Sequence, residues 1–256
     1  MCGAPGHHLS RRGLLAGLAA APVLGCSEND ATGRNQLILV SDAQLAGLGD
    51  QAWDELNSAT PRLRDPAAQA RVAAVGSAIA RATGRTDLDW DFAVFDSPEA
   101  NAFVLPNGKV AVFRGLLASV RSDDELAAVM GHEAGHIVVR HAAERVSQQL
   151  AIEAGVGLAQ LLLSDRAGEH ADEVAAALGM GAVYGVILPY SRKHELEADA
   201  VGVGLMRAAG HDPQAALSFW ERRIAEAQGR DPPEFLSTHP ADRTRLAALR
   251  QAVASV

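Results

Sequence analysis

Apolar and polar positions along the 256-residue chain alternate in blocks that predict helices more often than strands. Ser41 followed by Gln44 reads as a capping box, opening an amphipathic helix to about 58. A second helix is expected over 66–83, stopped by Gly84. Residues 88–95 alternate, with Trp90, Phe92 and Val94 on one face, and predict a strand. Residues 102–105 and 110–113 flank Pro106-Asn107-Gly108-Lys109, and Asn-Gly predicts a two-residue turn joining an antiparallel pair. Ser122-Asp123-Asp124-Glu125 reads as another capping box, with acids in the first turn, for a helix to about 150.

Two apolar stretches follow, 151–163 and 174–190, and both read as buried helices. The second carries no charge and approaches the length of a membrane span, but its glycines and Pro189 favour burial in protein. Ser191 is expected to cap a helix over 192–209 with Gly210 just past its end. Asp212-Pro213 should open a helix to about 228, and Pro240 the last one, to about 253. The fold class is therefore α+β, predominantly helical, with one small antiparallel sheet.

The first residues have a different pattern. Arg11-Arg12 precedes an uncharged run over 13–24, too short to span a bilayer but suited to a signal peptide. The run ends in Val23-Leu24-Gly25-Cys26, which resembles a bacterial lipobox, so a lipid-modified Cys26 becomes the expected mature N-terminus. Ser27 stands where an aspartate would mark inner-membrane retention, which points to the outer membrane. The expected organisation is a signal over 1–25, a lipidated cysteine with a polar tether over 26–36, and one domain over 37–256.

Composition narrows the function. The chain is 48% hydrophobic and 21% charged, which suits a globular protein and excludes wholesale disorder. Its net charge is −8, and loss of Arg11 and Arg12 with the signal would make it −10. That charge and only 4% aromatic residues argue against nucleic acid as a partner. Two cysteines, one of them in the signal, exclude a disulfide scaffold.

The chemistry centres on His132-Glu133-Ala134-Gly135-His136. Histidines at i and i+4 share a helix face, so both imidazoles can reach one zinc ion, and Glu133 can reach a water beside it as general base. A catalytic zinc needs a third ligand. His141 follows His136 by five and rotates off the ligand face, so it reads as structural or exposed. Carboxylates remain: Glu195 and Asp199 lie one turn apart, the first able to bind metal, the second to accept the other N–H of a ligand histidine or orient the helix. On their own such acids also describe a solvated helix face.

At these motifs the chain resembles the gluzincin metallopeptidases that include HtpX and the CAAX prenyl proteases. The resemblance covers roughly 36–250 and is carried by several blocks in order. They are Asn101-Ala102-Phe103 with Pro106-Asn107-Gly108, Gly115-Leu116-Leu117, the histidine motif, Tyr190-Ser191-Arg192 through Asp199, and Ser237-Thr238-His239-Pro240 with Arg245. It implies one zinc per chain held by His132, His136 and Glu195, Glu133 as base, and a strand near Asn101, Ala102 and Phe103 that binds substrate backbone. HtpX and the prenyl proteases carry transmembrane helices and some periplasmic relatives a tetratricopeptide array. This sequence shows neither beyond its signal, so the expectation is the stand-alone periplasmic lipoprotein branch.

His239 reads as a loop or N-cap histidine, as a donor to the oxyanion, or as a reversible fourth ligand that keeps the enzyme latent. Arg245 either clamps the same region or pairs with a surface acid. The expected function is a zinc endopeptidase on the periplasmic face of a bacterial membrane, acting on unfolded or misassembled envelope proteins. The alternatives are a zinc-containing chaperone or assembly factor with little turnover and a non-peptidase zinc hydrolase. An intact H-E-x-x-H disfavours the chaperone, because a pure binder has no use for Glu133.

Overall fold

The computed structural model describes residues 26–164, 188–227, 239 and 243–256. The expected signal over 1–25, most of the apolar stretch 174–190, the helix end at Gln228, and Ser237, Thr238 and Pro240 lie outside the described residues.

The polar stretch expected to be a tether is a folded hairpin. Strands β1 (Cys26–Glu28) and β2 (Asn35–Leu37) pair antiparallel, Cys26 opposite Leu37. Its polar side chains serve hydrogen bonding within the protein. Asn29 accepts from the Ala31 and Thr32 amides, an Asx turn, and donates to the Val139 carbonyl at 3.1 Å. Gln36 donates to the same carbonyl at 2.8 Å and to Glu144 at 2.8 Å.

Helix α1 (Asp42–Ala59) starts at the expected capping box, with both Ser41 and Gln44 bonds made. Helix α2 (Pro66–Ala82) has Asp65 as N-cap and proline at its first turn. The sheet comprises β3 (Asp91–Phe95), β4 (Ala102–Val104) and β5 (Lys109–Phe113) in the order β3-β5-β4. It is mixed, not antiparallel throughout: β4 passes beyond β5, so β3 runs parallel to β5. Phe92 and Val94 face the main core, as the alternation predicts. Ala93 and Phe95 face a second cluster with Trp53 of α1, whose ring meets Phe95 edge-on at 5.6 Å. A sheet covered on both sides explains why β5 reads almost wholly apolar.

The β4–β5 turn corrects a detail. The Gly108 amide donates to the Leu105 carbonyl at 2.9 Å, so Pro106 and Asn107 are the central residues. Gly108, at φ 87°, is the left-handed residue that follows them, in a three-residue loop.

Helix α3 (Arg114–Ser119) leads to α4 (Asp123–Val138), capped by Ser122. Only half of that capping box forms, because the Glu125 carboxylate accepts instead from the Arg121 amide at 2.7 Å. The helix expected to reach 150 breaks at Val139-Arg140, where Arg140 has φ 61°. The Val139 carbonyl, taken by Asn29 and Gln36, no longer serves a helical amide, and α5 (His141–Ser164) starts afresh. In α5, Ala151, Ala154 and Gly155 are exposed, against the expected burial.

Helix α6 (Leu188–Ala208) begins before Ser191, which therefore lies inside it and does not cap it. Asp212 caps α7 (Gln214–Ala227), accepting from the Gln214 amide at 2.9 Å, and α8 (Arg243–Ala254) closes the order. The predominantly helical α+β class stands. The main core joins α2, the sheet, α4, α6, α7 and α8 around fully buried side chains such as Leu116, Leu126 and Phe219. Each such side chain contributes about 1.5–3 kcal/mol by leaving water. Among the described residues, no helix is long and apolar enough to cross a membrane.

Candidate active site

Glycines set the distance between the two helices that carry the candidate ligands. A Cβ at Gly202 of α6 would sit 2.8 Å from the Gly131 carbonyl carbon of α4, and one at Gly131 would sit 2.9 Å from the Gly202 carbonyl oxygen. With no side chains at this crossing, backbone meets backbone, and Glu195 reaches the histidines of α4.

His132, His136, Glu195 and His239 each offer one donor atom, all within 4.8 Å of one another. His132 Nε2 lies 3.2 Å from His136 Nε2 and 3.2 Å from Glu195 Oε2. His239 Nδ1 lies 3.1 Å from His132 Nε2 and from each Glu195 oxygen. The sequence-predicted set therefore converges on one point, with His239 inside it.

The groups behind the donors are equally ordered. Asp199 Oδ1 lies 2.8 Å from His132 Nδ1. Arg245 is buried, not on the surface: it donates to both Asp199 oxygens at 2.7 and 2.9 Å, pairs with Glu195 at 2.9 Å, and donates to the His239 carbonyl at 3.0 Å. Its guanidinium lies over Trp220 of α7 at 4.0 Å, a cation–π contact that the sequence alone did not suggest. His141, expected to be structural or exposed, is buried, and its Nδ1 lies 2.8 Å from His136 Nδ1.

These contacts polarise the site. Burial opposes a charge on His132, but Glu195 and Asp199 outweigh it and push the imidazole up to about 9. His136 is held well below its usual range, by burial and then by its neighbour His132. Glu195 stays ionised far below the usual carboxylate range because His132 and His239 overcome its burial. Glu133 goes the other way: burial raises it, only partly offset by His239, His132 and the Val104 backbone. Its Oε1 is buried without a hydrogen-bond partner, 3.4 Å from His239 Nε2.

The edge of β4 borders Glu133 through Val104. Leu105 donates to Lys109, and Phe113 to Asn101, so odd-numbered residues of this strand bond inward to β5. Ala102 and Val104 present their backbone groups outward. Of the three expected edge residues, Ala102 lies on this outward edge, Asn101 caps its amide at 2.9 Å, and Phe103 packs its ring against Phe113 at 6.0 Å. Val104 was missed. A cavity of about 260 Å³ beside His136, with Leu45, Leu88, Pro106 and Ile137 in its wall, opens near the β4–β5 turn.

Two imidazoles one helical turn apart and a carboxylate from a crossing helix form a donor set that zinc favours in catalytic sites. Glu133 beside them, with Oε1 free of hydrogen bonds and its carboxyl pushed up by burial, suits a base acting on water. The class these define is a zinc metallopeptidase. Residues 66–253 match the model of peptidase family M48, and the chain belongs to that family. It is 41% identical over 170 residues to the mitochondrial metalloendopeptidase OMA1 of Schizosaccharomyces pombe, covering 66% of this chain and 48% of that protein. It is 38% identical to the OMA1 protein of Arabidopsis thaliana, over 64% of this chain and 32% of that one. The beta-barrel assembly-enhancing protease of Escherichia coli is 28% identical over a longer stretch, 82% of this chain and 44% of that protein. The chain thus spans half or less of the length of these relatives.

Proposed function

We propose that this chain is a zinc-dependent endopeptidase of the bacterial cell envelope that cleaves unfolded or misassembled envelope proteins. The observation that carries the catalytic reading is Glu133, a buried base whose Oε1 accepts no hydrogen bond and adjoins the converging donors. The envelope reading is supported by the lipobox-like Cys26 with its twin-arginine leader. A relative matching 82% of the chain is also named for β-barrel assembly. In this reading Cys26 is lipidated and anchors the protein to the outer membrane.

His132, His136 and Glu195 would hold the zinc. Bound there, zinc supplies Lewis acidity that eases deprotonation of water and polarises the scissile carbonyl. Glu133 takes the proton of the attacking water and passes it to the leaving amine nitrogen. Asp199 accepts the Nδ1 proton of His132, which leaves the Nε2 lone pair facing the cation. Arg245 fixes Asp199, Glu195 and the His239 backbone together. An extended substrate pairs with the outward carbonyls of Ala102 and Val104, whose amides are engaged by Asn101 and Glu133, and the cavity beside His136 receives one of its apolar side chains.

The test is casein cleavage with and without a chelator, followed by envelope proteomics of Glu133→Gln. Chelator-sensitive cleavage and trapped envelope proteins are expected. A zinc-loaded protein without turnover, both as wild type and as His239→Ala, would sink the enzyme reading in favour of a chaperone.

A further inference from the structure

The two histidines of the motif are buttressed differently. His132 leans on a carboxylate, with Nδ1 2.8 Å from Asp199. His136 leans on a second imidazole, with Nδ1 2.8 Å from Nδ1 of His141, across the helix break. His141 Nε2 lies 3.1 Å from Glu197 Oε2. Glu197 accepts from Arg34 Nε at 2.7 Å and Nη2 at 2.9 Å, and Arg34 belongs to the N-terminal β1–β2 hairpin.

The protons in this chain run one way. Two ring nitrogens 2.8 Å apart share a single proton. If His136 offers its Nε2 lone pair to a cation, its Nδ1 carries that proton and His141 Nδ1 accepts it. His141 then carries its own proton on Nε2, which faces Glu197. The reverse order would put the proton of His136 on Nε2 and remove the lone pair a metal needs. The His141 ring is fixed in plane as well. It stacks on His194 with centroids 4.3 Å apart, and His194 Nε2 lies 3.2 Å from Glu144. Arg34 also holds Glu144, donating from Nη1 at 2.6 Å and from the shared Nη2 at 2.7 Å.

We infer that His141, Glu197 and Arg34 are positioning residues for the zinc site, setting the tautomer and orientation of His136, so that the hairpin over 26–37 is part of the metal centre. This rests on the reading of His136 as a zinc ligand. A carboxylate relayed through an imidazole raises ligand basicity as a direct carboxylate does, and removing such a partner costs roughly 10–100-fold in metal affinity.

The experiment measures zinc affinity of the full chain by chelator competition, at a temperature where circular dichroism shows each variant folded. His141→Phe keeps a ring but no acceptor, and should weaken zinc binding by about 10–100-fold. His141→Gln can accept with its amide oxygen and donate with its nitrogen, and should recover most of that loss. Glu197→Gln should show a smaller loss, and it decides the matter should His141→Phe not fold. Folded variants with wild-type affinity, even with a lowered Tm, would overturn the inference and leave the cluster a folding element. His136→Ala is the control. If it keeps full zinc affinity, the ligand reading itself fails; if it loses zinc while His141→Phe does not, only the positioning role falls.

Discussion

A methyl group at Gly135 would lie 2.6 Å from the carbonyl oxygen of Ala198. Gly135 is one of the two unspecified positions of H-E-x-x-H, and Ala198 lies between Glu195 and Asp199 on the crossing helix. The clash is with backbone, so relief requires the two helices to separate, and that moves Glu195 away from the histidines. Gly135→Ala should therefore destabilise the fold by about 1–3 kcal/mol and weaken zinc binding. Gly204→Ala, on the crossing helix α6 with nothing within 4 Å of the added methyl, is the control and should be neutral or stabilising. Urea unfolding and zinc titration of both check this, and equal behaviour of the two would refute it.

His132→Ala, His136→Ala and Glu195→Ala should each lose most bound zinc. Asp199→Asn should retain zinc with affinity lowered roughly 10–100-fold, since it removes a partner of His132 and not a ligand. Metal analysis after dialysis reads both. Full zinc occupancy in Glu195→Ala would mean that another residue is the third ligand.

The local features of the fold and site were legible because their partners are a few residues away. The Ser41–Gln44 box, the helix beginning at Pro66, the Asp212-Pro213 start, and the i, i+4 pairs His132/His136 and Glu195/Asp199 belong to this group. What was hidden depends on distant partners. The 26–37 hairpin has the composition of a tether because its polar groups bond to Val139, Glu144 and Glu197, more than a hundred residues on. The same bonds capture the Val139 carbonyl, so the helix break at Arg140 has no local signal in the sequence. The part of His141 in the site was missed because spacing showed only that it leaves the ligand face, not that it lands behind His136.

The pH profile should report Glu133. Burial raises its pKa above the ordinary 4.5, and only the ionised form accepts a proton, so activity should fall with decreasing pH at a point above that value. The acidic limb of kcat/KM measures it. An acidic limb at or below the usual carboxylate range would contradict the assignment of Glu133 as base.

Stability should respond to pH at a different place. Glu197 and Glu144 are both held below their ordinary range: burial opposes this, but bonds to Arg34 and their histidine partners outweigh it, and Glu197 lies at about 2. A carboxyl lowered on folding stabilises fully above its unfolded value and loses that contribution as pH falls towards its folded one. Tm should thus drop between about pH 5 and pH 2. Glu197→Gln should be less stable at pH 7 yet lose less between pH 5 and pH 3. A Glu197→Gln melting profile parallel to wild type across that range would count against the Arg34 network as its source.

His239 decides whether the site is open at rest. Its Nδ1 lies 3.1 Å from His132 Nε2 and from both Glu195 oxygens, which puts it at the fourth position around the converging donors. A ligand there excludes the attacking water, and a protease facing unfolded neighbours gains by such latency. Displacement of His239 costs a ligand bond, which substrate pairing along β4 can offset. Arg245, donating to the His239 carbonyl at 3.0 Å, keeps the backbone in place while the ring moves. On this account His239→Ala raises casein turnover and self-cleavage, with zinc retained on the three remaining donors. The competing role is donation to the oxyanion. It predicts the opposite sign, a kcat lowered by roughly 10²–10³ at unchanged zinc content. Turnover and zinc content of His239→Ala, measured together, separate the two, and unchanged turnover would remove both.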